Sequence, residues 1–104
     1  MSDHQTTAEA LNSVAEFGEI SGYMNDPEFT QALELVVKIM ATPDIPPDKA
    51  RVLIVRLEAL SAKFAMLASY HAFIDKRDRS KKNMYYTGRD SLHRLVDSLK
   101  YILK

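Results

Sequence analysis

Between Pro47 and Ile74 the residues Ala50, Leu53, Leu57, Leu60, Phe64, Leu67, His71 and Ile74 follow one another at intervals of 3, 4, 3, 4, 3, 4 and 3. A side chain that returns every 3.5 residues lines one stripe of an α-helix, and no strand places its side chains with that period. The spacing therefore predicts one long helix whose stripe packs on another helix at a shallow left-handed crossing. Packing inside one bundle and pairing between chains both account for such a seam.

The rest of the chain is punctuated for helices as well. It holds three glycines and four prolines, and no stretch alternates apolar and polar residues for long enough to read as a strand. A first amphipathic helix is expected from about Thr7 to Phe17, carrying Ala8, Leu11, Val14, Ala15 and Phe17, with residues 1–6 as a flexible tail and an end near Gly18 or Gly22. Asp26-Pro27-Glu28 is a start signal: Asp accepts from free amides, Pro suits the first helical position, and Glu complements the positive helix end. The second helix should run from Pro27 to about Ala41. Pro43-Asp44-Ile45-Pro46-Pro47 then breaks the chain into a rigid corner.

After the long helix, Asp75 to Lys82 reads as a polar, basic connector. A last helix from about Lys81 to Leu103 would gather Met84, Tyr85, Gly88, Leu92, Leu95, Val96, Leu99, Ile102 and Leu103, with Ser80 or Ser91 as its cap. It must pass through Gly88, which costs about 1 kcal/mol relative to Ala, so a break at Thr87-Gly88 is the alternative. The fold class expected is all-α: one domain over residues 1–104, a three- to four-helix bundle with a long central helix, centred on Leu53, Leu57, Leu60, Phe64, Leu67, Leu92, Leu95 and Leu99.

Functional chemistry is limited by what the chain holds. With no cysteine it has no disulfide, thiolate metal site or cysteine nucleophile. His4, His71 and His93 have no second ligand at metal-like spacing, and neither a Gly-rich phosphate loop nor a nucleophile elbow is present. The expectation is a protein that is not an enzyme, binds no cofactor or metal, and acts by binding. His71, on the seam, reads as a histidine hydrogen-bonded within the bundle. The start of the chain has no signal-peptide pattern and no apolar run reaches the roughly 20 residues of a membrane span, so no membrane and a cytoplasmic place are expected.

A net charge of zero conceals polarity. Residues 1–50 hold two basic against nine acidic side chains, and residues 51–104 hold twelve basic against five acidic, so the halves carry −7 and +7. Such halves can steer a charged partner or satisfy one another within or between copies. Glu9, Glu16, Glu19, Asp26, Glu28 and Glu34 read as a solvated acidic face. Charge and aromatic rings interleave only between Lys76 and Arg89. There Lys76, Arg77, Arg79, Lys81, Lys82 and Arg89 offer six cations for phosphates and Tyr85 or Tyr86 a ring for an unpaired base, the pattern of single-strand binding without sequence readout. The alternative is that the tyrosines pack and the basic residues are merely solvated.

Lys81-Lys82-Asn83-Met84-Tyr85-Tyr86-Thr87, followed by Leu92 and Leu95-Val96-Asp97-Ser98-Leu99-Lys100-Tyr101, resembles the C-terminal pattern of small helical proteins of tailed bacteriophages. Tyr85-Tyr86-Thr87-Gly88-Arg89 after a basic helix is also similar to an element of phage recombination mediators, which form rings on single-stranded DNA. That resemblance implies an oligomeric accessory protein of a phage, working in the host cell cytoplasm, with the six cations as DNA contacts. This chain departs from the mediators in its length, its acidic first half and the spacing before the tyrosine pair. Two other roles fit the sequence: a virus-encoded inhibitor or adaptor of a host protein that uses the acidic half, and a self-associating virion component.

Overall fold

The computed structural model describes residues 3–42 and 44–103. Among them stand four α-helices, α1 (Asp3–Ser21), α2 (Pro27–Ala41), α3 (Pro47–Phe73) and α4 (Arg79–Ile102), with a 3-10 turn at Tyr23–Asn25. The all-α bundle expected from the sequence is the architecture found. Connections this short make neighbouring helices run in opposite directions. In α1 and α4, Thr7 meets Ser98 and Phe17 meets Gly88. In α3 and α4, Phe64 meets Tyr85 and Glu58 meets Lys100. Both pairs are thus antiparallel, and α4 packs against α1 and α3 together. The molecule measures 47 × 27 × 23 Å, its long dimension set by α3. None of these helices is long and apolar enough to cross a membrane.

Helix α1 begins at Asp3, so of the tail expected over 1–6, residues 3–6 are helical and 1–2 lie outside the described residues. The extra turn has a physical reason: Thr7 and Ala10 are buried and hold the N-terminal part of α1 against α4. The helix also runs past Phe17 and stops where Gly22 takes a left-handed conformation at φ 84°, a place where a Cβ would be strained. Asp26 caps α2 as expected, its Oδ1 accepting from the Glu28 amide at 2.9 Å. Of the proline corner, Pro43 lies outside the described residues, and Pro47 opens α3.

Helix α3 turns its seam inward: Ala50, Leu53, Leu57, Leu60 and Phe64 are buried. Beyond Phe64 the seam leaves the core. Leu67 and His71 are half-buried, Ile74 is 74% exposed, and Ala68 takes the buried position instead. A straight helix drifts about 20° per heptad from a strict seven-residue repeat, so the last members of a four-heptad seam rotate away from the face on which the first ones pack.

Helix α4 is continuous through Gly88. A Cβ there would stand 2.5 Å from the Phe17 ring, so the missing side chain lets α1 and α4 close on each other. The cap is neither Ser80 nor Ser91 but Asp78, whose Oδ1 accepts from the Ser80 and Lys81 amides at 3.0 and 3.3 Å. Consequently half of the presumed basic connector is helix. Phe64 is the hub of the core, with the rings of Phe17 and Tyr23 at 4.8 Å and those of Phe29 and Tyr85 at 6.3 and 6.1 Å.

Candidate nucleic-acid interface

The fold sorts the eight residues singled out between Lys76 and Arg89 into three groups. Lys76 and Arg77 lie in the corner between α3 and α4, both exposed. Arg77 Nε donates to Asp75 Oδ1 at 2.8 Å, and this partner holds the Asp75 carboxyl down at about 2. The guanidinium is thereby oriented but remains 90% exposed. Exposed pairs of this kind contribute little to stability.

Arg79, Lys82, Tyr86 and Arg89 fall on one face of α4 at intervals of 3, 4 and 3. The same spacing continues into His93 and Lys100, which sequence reasoning passed over because it stopped at the end of the basic run. This row runs along the flank of α4 that borders α3, beside the buried face of Leu92, Leu95 and Leu99: Arg89, His93 and Lys100 line a hollow with Glu58, Ser61, Ala62 and Ala65 of α3, and Val96, the next position of the row, is buried. Over 21 residues at 1.5 Å each it extends for about 32 Å. Arg89 lies 4.7 Å over the Tyr86 ring and binds Asp90 at 2.9 Å, which leaves it ordered on the surface. Lys100 approaches Glu58 of α3 at 3.9 Å. Lys81 belongs to neither group. It points toward the Tyr85 side of the bundle, where its charge and that of Lys63 act against the upward shift that burial imposes on the Tyr85 hydroxyl.

Tyr85 is a packing residue. Its ring lies nearly parallel to Phe64 at 6.1 Å and to His71 at 5.7 Å, two residues separated by two turns of α3. A ring that is to stack on a base needs a free face, and with Tyr85 packed against Phe64 and His71 the candidate of the pair is Tyr86, which is half-buried and carries Arg89 over its ring. His71 contributes its ring to this stack and to an edge contact with Tyr70 at 5.2 Å, while its buried Nδ1 has no hydrogen-bond partner among the described residues. The hydrogen bond expected for it is therefore replaced by aromatic packing. The positive N-terminus of α4 is already taken by the Asp78 carboxylate, so phosphate contacts there fall to side chains.

The acidic residues Glu9, Glu16, Glu19, Glu28 and Glu34 are all exposed on α1 and α2, and none enters an ion pair among the described residues. Nor does any group of three His, Cys, Asp or Glu among those residues gather closely enough to hold a metal ion. Comparison with known proteins finds no matching family model, no matching curated protein and no matching solved structure.

Proposed function

We propose that this chain is a non-enzymatic accessory protein of the phage type that binds single-stranded nucleic acid along its backbone through the flank of α4 that borders α3, working in the host cytoplasm as a self-associating unit. The observation that carries the reading is the row Arg79, Lys82, Tyr86, Arg89, His93 and Lys100, because a line of cations with one available ring is suited to tracking phosphates without reading bases. Lys76 and Arg77 extend the row beyond the start of the helix. Lys81, set apart from it, is a lesser contact.

Fluorescence anisotropy of a labelled mixed-sequence single strand, followed across a salt series, tests this. Log affinity should fall by about 0.7 per log salt for each phosphate neutralised, and Lys82→Glu with Arg89→Glu should weaken every sequence alike. Absence of binding at low salt rejects the reading. The exposed, unpaired acidic face of α1 and α2 supports the second reading, an inhibitor or adaptor that presents carboxylates to the basic surface of a host protein; a virion component is the third.

A further inference from the structure

Helix α3 carries a second seam that the bundle does not use. Val52, Val55, Ala59, Ala62, Met66, Ser69 and Phe73 repeat at intervals of 3, 4, 3, 4, 3 and 4 on the side opposite to Leu53, Leu57, Leu60 and Phe64, and every one of them is exposed. The large members are bare: Val52 is 54% exposed, Val55 60%, Met66 73% and Phe73 74%, with Tyr70 at 45% widening the C-terminal end. A monomer seldom leaves an apolar strip of this length in water, and its heptad period suits a helix as occupant rather than a loop.

The two ends of the strip are complementary to each other. At the N-terminal end Asp48, Arg51, Val52, Val55 and Arg56 border an almost wholly apolar hollow. At the C-terminal end Tyr70 and Phe73 project, followed by the basic corner with Lys76 and Arg77. We propose that a second copy of this chain covers this face, α3 against α3 in antiparallel orientation, about a twofold axis beside Ala62. That register sets Val52 opposite the other copy's Phe73, Val55 opposite Tyr70, and the small Ala59 opposite the long Met66. The projecting rings enter the hollow between Arg51 and Arg56, where guanidinium groups favour aromatic faces. Lys63, the cation that would face its own copy near the axis, is drawn aside over the Tyr23 ring at 5.1 Å.

Each chain thus holds the projection and the hollow, as a closed twofold contact requires. The seam from Val52 to Phe73 is about 32 Å long, and the exposed parts of its side chains with their flanks are of the order of the 800 Å² per partner that a stable interface needs. The contact deepens the self-association in the reading above, and Ala62 beside its axis shares a hollow with Arg89, His93 and Lys100 of the α4 row. A monomer that still binds strands would sink the dimer alone, and a dimer that binds none would sink the nucleic-acid reading alone.

Light scattering over a dilution series should give two copies of 11.8 kDa at the concentrated end for the natural chain. Val55→Asp and Phe73→Asp should each give one copy with an unchanged helical circular dichroism spectrum, whereas Ile20→Asp, at an exposed apolar position off the strip, should leave the dimer intact. The orientation is read by cross-linking, which is clean because the chain has no cysteine. Ala62→Cys should oxidise to a linked dimer and Val52→Cys alone should not, but Val52→Cys mixed with Phe73→Cys should. A monomer at every concentration, or a dimer that survives both aspartates, overturns the proposal, and self-linking of Val52→Cys overturns the antiparallel arrangement.

Discussion

Tyr85 and Gly88, three residues apart, show how one side chain or its absence sets the packing of α4. Replacing Tyr85 by Ala removes a ring that lies on both Phe64 and His71, and should lower folding stability by about 2 kcal/mol or more, measured by chemical denaturation. Replacing Tyr86, which is half-buried with Arg89 over its ring, should cost less stability than replacing Tyr85 and weaken strand binding instead. Equal loss of stability in both variants would contradict this division. At Gly88 helix propensity favours Ala by about 1 kcal/mol, yet its Cβ would press on Phe17 at 2.5 Å, and overpacking costs typically 1 to about 3 kcal/mol. Packing should win, so Gly88→Ala is expected to lower the thermal midpoint. Asp75 titrates at about 2 through Arg77, below the usual carboxylate value near 3.9. A depressed carboxyl contributes above its unfolded value and loses the contribution as pH falls toward 2, so its NMR titration should move back up toward about 4 in Arg77→Ala.

At the scale of elements, the ends of helices were harder to place than the helices. The 3.5-residue seam announced α3, and Asp26-Pro27-Glu28 announced α2, because periodicity and capping chemistry are local. The start of α4 was misread, since both Asp78 and Ser80 are cap residues and the chain alone does not say which amides are left free. Asp78→Ala should cost about 0.5 to 2 kcal/mol, and Ser80→Ala almost nothing, in the same denaturation assay. The inner seam of α3 is tested by Leu60→Ala, which should cost about 2 to 5 kcal/mol because Leu60 is 4% exposed. A midpoint unchanged by that substitution would remove Leu60 from the core. The row on α4 was legible only as far as Arg89: composition marks a run of cations, whereas His93 and Lys100 join it only once the helix is known to continue through Gly88.

For the whole molecule, α4 is the element held on two sides, by α1 and α3, while α2 packs less extensively. Stability should be graded accordingly. Hydrogen exchange is expected to be slowest at the amides of Leu92, Leu95 and Leu99, opening only with global unfolding, and faster in the last turns of α2 around Val37. Slower exchange in α2 than in α4 would contradict this order. The charge polarity of the two halves is also arranged at this scale: α1 and α2 present five exposed glutamates against one exposed cation, Lys38, whereas most exposed cations lie on α3, α4 and the corner between them, interspersed with Asp48, Glu58, Asp90 and Asp97.

The sequence alone determined the helical class, the inward seam of α3, the cap of α2 and the chemistry that no cysteine-free chain can perform, because each follows from residues near one another along the chain. Only the tertiary structure decided which tyrosine is buried, how far the seam stays in the core, why Gly88 is small and which face of α3 is left bare. Those answers depend on which helix lies opposite each side chain, and a partner tens of residues away leaves no mark in local spacing. The outer seam of α3 was present in the sequence with the same period as the inner one. It became informative when the bundle had used the first and left the second in water.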